Sequence, residues 1–117
     1  MPGEKLVPHY DLRESEIRDM IMAYLDQRRI FAWRDYQPNV IGKSNRGPRT
    51  YGVADILGIY RGRPLAIEVK TTKGDLSIRQ FNWLEKFREA GGIVIVATSV
   101  EEVHRHLTEV SIAASHA

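Results

Sequence analysis

Two apolar stretches, Val53-Ala54-Asp55-Ile56-Leu57-Gly58-Ile59-Tyr60 and Leu65-Ala66-Ile67-Glu68-Val69-Lys70, stand four residues apart across Arg61-Gly62-Arg63-Pro64. Each is short and bounded by turn residues, so both read as strands. So brief a connection excludes a parallel crossover and requires an antiparallel hairpin. Residues equidistant from the turn sum to about 124–125, which sets Asp55 opposite residue 69 or 70. Alternation puts Leu65, Ile67 and Val69 on one face and Ala66, Glu68 and Lys70 on the other. Asp55, early in the first strand, therefore meets Glu68 and Lys70 at one end of an apolar hairpin. An exposed edge strand leaves such groups in water, whereas a buried strand needs them paired or liganded.

The rest of the chain supplies the partners that hairpin needs. Ile17, Met20, Ile21, Tyr24 and Leu25 recur at helical spacing behind a Ser15 or Asp11 cap, with Glu16 beside the stripe. Ile30-Phe31-Ala32-Trp33 reads as a short strand. Residues 35–52 lose periodicity in turn chemistry at Gln37-Pro38-Asn39 and Ser44-Asn45-Arg46-Gly47-Pro48. A loop of roughly 18 residues is long enough to be functional, with room for a hairpin near Val40-Ile41. Ser77 opens a second helix to about Ala90, with Ile78, Phe81, Leu84 and Phe87 inward, and Gly91-Gly92 ends it. Ile93-Val94-Ile95-Val96-Ala97 predicts a strand buried on both faces. Ser99 and Glu102 have the spacing of a capping box for a last short helix, with Val100, Val103 and Leu107 inward. The order α-β-loop-β-β-α-β-α predicts an α/β fold, a small central mixed sheet flanked by helices. Residues 1–13 read as an N-terminal extension, 14–110 as one domain and 111–117 as a loose C-terminal tail.

Composition narrows the function. A chain of 117 residues suits one core. The absence of cysteine excludes a disulfide scaffold, the usual zinc fingers and a thiol nucleophile. No apolar run reaches the ~20 residues of a membrane span. With Met1-Pro2-Gly3-Glu4-Lys5 unlike a secretory signal, the expected location is the cytoplasm. The net charge of +2 conceals an asymmetry: residues 27–73 hold 10 basic and 3 acidic side chains, a local +7 between acidic flanks. A field of that sign suits a polyanion, nucleic acid above all. Lys43, Arg46, Arg49 and Lys73 are the candidate phosphate contacts. Tyr51 stands beside them. Trp33 and Trp83 are expected in the core or an interface. His9, His104, His106 and His116 show no ligand spacing.

Two carboxylates and a lysine without histidine or cysteine make an oxygen-rich site, which suits Mg²⁺ or Mn²⁺ rather than zinc. A divalent ion on two carboxylates beside a lysine, in a basic neighbourhood, is the equipment of phosphodiester hydrolysis.

Asp55, followed thirteen residues on by Glu68-Val69-Lys70, resembles the D…ExK core of the PD-(D/E)xK, restriction-endonuclease-like superfamily, with Val53-Ala54 where proline is typical. The longer strings Gly52–Ile59 and Gly62–Lys70, with Leu76-Ser77-Ile78-Arg79-Gln80 and Gly91-Gly92, resemble the VRR-NUC (virus-type replication-repair nuclease) family within it. The resemblance covers roughly residues 14–104. It implies a restriction-endonuclease-like core in which Asp55, Glu68 and the carbonyl of Val69 ligate Mg²⁺ or Mn²⁺. It implies that Lys70 is the catalytic lysine, and that Gln80 and Glu16 complete the site. It further implies a DNA endonuclease that acts on branched substrates, including four-way (Holliday) junctions, as a homodimer. Gln80 also has S-x-x-Q spacing with Ser77, a helix cap, and Glu16 is also an ordinary first-turn acid. The alternatives are a catalytically silent nucleic-acid-binding module, or an RNA endonuclease or nuclease subunit of a larger complex.

Overall fold

The computed structural model describes residues 12–35 and 53–116. The proposed N-terminal extension up to residue 11, the Val40-Ile41 hairpin, Tyr51 and the candidate contacts Lys43, Arg46 and Arg49 lie outside them. The elements are α1 (Glu14–Gln27), β1 (Ala32–Arg34), β2 (Ile56–Tyr60), β3 (Arg63–Val69), α2 (Ile78–Glu89), β4 (Ile93–Ala97) and α3 (Val100–Ser115). The expected order of elements stands.

The four strands form one mixed sheet in the order β1-β2-β3-β4, with only β3 and β4 parallel. β2 and β3 join through Arg61-Gly62, tighter than the four-residue turn expected. Both residues have positive φ, 52° and 82°, the two-residue geometry whose twist matches a hairpin. Tyr60 therefore pairs with Arg63 and Ile56 with Ile67. The ladder register sets residue 55 opposite 68, one to two residues short of the expected pairing. Gly58 lies where β1 crosses closest: a Cβ there would sit 2.6 Å from the Phe31 carbonyl oxygen.

β3 is an interior strand, and Leu65 to Val69 are all buried. An edge strand with a wet polar face is thereby excluded. One face of the sheet packs Ile56, Leu65, Ile67, Val69, Ile93 and Ile95 against Ile17, Ile21 and Leu25 of α1 and Val103 and Leu107 of α3. The other face packs Ala66, Leu57 and Val94 under Leu84, Trp83 and Phe87 of α2. Trp83 stacks on Phe87 with ring centroids 5.0 Å apart.

Four expectations need correction. In α1 the buried line is Ile17, Ile21 and Leu25, and Met20 is exposed. That narrower line centres the inward face near Glu14 and Arg18, and Glu16 falls near the opposite pole at 100° per residue. In α2 only Leu84 is buried, while Ile78 and Phe81 are exposed. Among the described residues the helix packs on β2, β3 and β4 through Leu84, Trp83 and Phe87. Among the described residues β4 pairs with β3 alone and is not buried on both faces, and Val96 is exposed. The last helix is not short: it runs through the expected tail to Ser115. Its end is tethered where Tyr60 Oη lies 2.6 Å from Ser111 Oγ. A polar staple joins α1 to α3 as well: Tyr24 Oη and Arg28 Nη1 both reach His104 Nδ1, at 2.8 and 3.4 Å.

Candidate active site

Asp55 sits at a bend just before β2 rather than within it. In a continued ladder the amide of Val69 would meet the carbonyl of residue 54. Instead Val69 N–H donates to Asp55 Oδ2 at 2.8 Å. The side chain thus takes over a ladder bond, which fixes the carboxylate between β2 and β3 at the end of the sheet. Asp35 N–H donates to the Asp55 carbonyl at 2.9 Å and holds the bend from the β1 side.

Glu68 projects from β3 and is 2% exposed, the one buried charged residue among those described. Its Oε2 accepts from Gln80 Nε2 at 2.8 Å and lies 3.4 Å from Lys70 Nζ. Its Oε1 is buried without a hydrogen-bond partner. Burial first, and then the charge of Asp55, push the Glu68 carboxyl up to about 7, against the opposing pull of Lys70. Gln80 both caps its helix and reaches Glu68. Its backbone N–H takes Ser77 Oγ, its Oε1 takes Ser77 N–H at 2.9 Å, and its Nε2 remains for Glu68.

Two residues enter the site that sequence reasoning missed. Arg18 Nη2 lies 3.5 Å from Asp55 Oδ1, with both side chains mostly enclosed. Glu14, one turn earlier on the same side of α1, acts on Glu68 as a further negative charge. Glu16 does not enter. Its Oε1 accepts the Arg13 N–H at 2.8 Å, capping the helix in water. A helical wheel drawn on Ile17, Ile21 and Leu25 alone would have placed Glu14 and Arg18 inward. Lys73 is exposed in the turn that follows β3.

An orphaned buried carboxylate oxygen beside a second carboxylate fits a hard divalent cation. Among the described residues no three Asp, Glu or His side chains converge to hold a metal alone. Mg²⁺ commonly takes one or two carboxylates and completes its shell with water and substrate phosphate. Asp55, Glu68 and the Val69 carbonyl are the groups available to it. Among the described residues no helix is long and apolar enough to cross a membrane.

The sequence model of the VRR-NUC domain matches residues 43–101, half of the chain. A solved structure described as a VRR_NUC domain protein superimposes with a TM-score of 0.63 at 20% identity, over 80% of this chain and 84% of that chain. That likeness speaks for the fold. No curated protein matches significantly.

Proposed function

Because this chain belongs to the VRR-NUC domain family, a family of nuclease type, we propose that it is a metal-dependent endonuclease acting on branched DNA. The observation that carries this is Glu68, buried beside Asp55 with one oxygen unpartnered and the other held by Lys70 and Gln80. Nothing among the described residues satisfies that oxygen, and a buried polar atom left without a partner is costly.

Asp55, Glu68 and the Val69 carbonyl would hold Mg²⁺ or Mn²⁺. The ion, when bound, supplies Lewis-acid polarisation of the scissile phosphate and a more acidic water. Lys70 brings its ammonium to the same spot, where it positions the attacking water and offsets charge growing on the phosphate. Gln80 fixes the Glu68 carboxylate so that its free oxygen stays aimed at the site. Glu14 replaces Glu16 as the first-helix acid. Lys43, Arg46, Arg49 and Lys73 hold flanking phosphates, which set affinity more than sequence preference. Selectivity for branched DNA, four-way junctions among them, follows from the spacing of two sites across a homodimer. The proposed location is the cytoplasm.

The test is a cleavage panel in Mg²⁺ or Mn²⁺ over single-stranded, duplex, flap, splayed and four-way-junction DNA, with matched RNA. Asp55→Ala, Glu68→Ala and Lys70→Ala should each lose about 100-fold or more in rate while binding persists in EDTA. A Lys70→Ala protein cutting at the wild-type rate would overturn the mechanism. Preference for RNA would overturn the substrate, and an intact chain that cuts nothing would leave only a binding module. Sedimentation velocity reads the dimer.

A further inference from the structure

Among the described residues, α2 packs on β2, β3 and β4 of the sheet face that carries Glu68 and leaves β1 uncovered. α2 shields Ala66, Leu57 and Val94, and nothing among the described residues covers the outer edge of β1 and β2. There Phe31 is 71% exposed, Trp33 41% and Ile59 42%. The register settles that these side chains share a face. Trp33 pairs with Leu57 and Leu57 with Ala66, a row that lies on the α2 side. Phe31 lies two residues before Trp33 and opposite Ile59, whose N–H donates to the Phe31 carbonyl at 3.0 Å. The Phe31 and Trp33 rings stand 5.4 Å apart, tilted by 52°. Glu68 follows Ala66 by two residues on the same side of β3.

The strip has a charged far end. Arg29 and Arg61 are exposed beyond Phe31 and Ile59, each with positive φ, 59° and 52°. Neither makes an ion pair with a described residue. From Ile59 to Asp55 the strip runs about 13 Å, the length of about four stacked nucleotides. Exposed rings in file, with guanidinium groups at one end and a phosphate-cutting site at the other, are the parts of a single-strand platform: π-faces for bases, cations for the backbone.

We propose that Trp33 and Phe31 stack unpaired bases of a strand whose backbone runs from Arg29 and Arg61 toward Glu68 and Lys70. The substrate class is thereby specified: DNA with an unpaired segment of a few nucleotides next to the cut. A second copy of this chain seated on the strip would cover the approach to Glu68 and Lys70, whereas a nucleic-acid strand arrives at them. The purpose of the platform rests on the nuclease reading, but its existence is measurable apart from cleavage.

The measurement is the affinity of single-stranded, splayed and fully duplex oligonucleotides for Lys70→Ala protein in EDTA, by fluorescence anisotropy. Trp33→Ala and Phe31→Ala, each made in that background, should weaken binding to single-stranded and splayed DNA at least about 5-fold. Duplex affinity should hold. Trp33→Phe should retain most single-strand affinity, since a ring remains, and should lose the part of the fluorescence quenching that comes from Trp33. Unchanged single-strand affinity in Trp33→Ala and Phe31→Ala overturns the platform, as does an equal loss on duplex. Dissociation of a dimer by either substitution, with affinity per site unchanged, assigns the strip to a second copy and also overturns it. Cleavage by otherwise wild-type protein separates the two readings. If it cuts nothing while ring-dependent binding persists, the platform stands and the nuclease reading falls. If Trp33→Ala cuts splayed DNA at the wild-type rate, the platform falls and the nuclease reading stands.

Discussion

At the scale of one residue, Glu68 carries a cost that the chain has not removed. Its carboxyl is raised from the ordinary 4.5 to about 7, burial first and Asp55 second. A carboxyl raised in this way binds its proton more tightly when folded than when unfolded. The metal-free protein is therefore most stable below pH 4.5, relative to its own alkaline limit. It loses that increment as pH climbs through about 7. The increment is on the order of 2–3 kcal/mol. Glu68→Gln cannot ionise and still offers an oxygen to Gln80 and Lys70. In urea titrations without metal it should be the more stable protein at pH 8, by roughly 1–3 kcal/mol, with the gap closing by pH 5. A gap that widens toward acid would contradict the origin of the shift. Arg18 makes the complementary case. It already supplies a cation to Asp55 at 3.5 Å, so it competes with a bound ion. Arg18→Gln should bind Mn²⁺ a few-fold more tightly by calorimetry, on the order of 1 kcal/mol for a partly exposed pair. Weaker binding would mean that Arg18 holds Asp55 in place instead.

At the scale of the element, α1 separates a glutamate that caps the helix from one whose charge is felt by Glu68. Glu14 and Glu16 stand 200° apart on an ideal wheel, so they cannot serve the same site. Glu16→Ala should remove a cap, costing about 0.5–1 kcal/mol in thermal unfolding, with cleavage intact. Glu14→Gln should leave stability nearly unchanged and raise the Mg²⁺ needed for half-maximal cleavage. The opposite pattern would return Glu16 to the site. This pair also shows what the sequence makes legible. The hairpin, the helix caps at Ser77 and Ser99, and the order of elements follow from short-range chemistry, turn residues and hydroxyls that satisfy nearby amides. The meeting of Asp55 with Glu68 and Lys70 follows from strand register, which tolerated an error of one or two residues because the bend at Asp55 returned its carboxylate to Val69. Burial was less legible. Met20, Ile78, Phe81 and Val96 are apolar at helix or strand spacing, yet exposed. Periodicity says which side of an element is apolar, not how far the neighbouring element extends over it. Among the described residues α2 packs on β2, β3 and β4 but not on β1, which leaves Trp33, expected in a core or interface, partly exposed on the side of the site.

At the scale of the whole molecule, the proposed metal site and the fold draw on the same carboxylates, so binding there would be linked to folding. Asp55 closes the β2–β3 ladder through Val69, and Glu68 joins β3 to α2 through Gln80. An ion that binds these groups only when they are assembled stabilises the fold by mass action, about 2.7 kcal/mol at a hundred times its dissociation constant. The ion must also displace the Glu68 proton, so its affinity rises with pH until the carboxyl is ionised, near 7. The metal-free fold moves the other way, weakening over the same interval as Glu68 gains a buried charge that Lys70 offsets only in part. The two slopes diverge. The rise in Tm produced by a fixed excess of Mg²⁺ should therefore be small at pH 5.5 and larger at pH 8, and Glu68→Gln should flatten it at both. Scanning calorimetry of the wild-type chain and this variant, with and without Mg²⁺, reads all of these terms together. A Mg²⁺ increment that is equal at the two pH values, or that survives in Glu68→Gln, would place the ion elsewhere and leave the buried carboxylate without its partner.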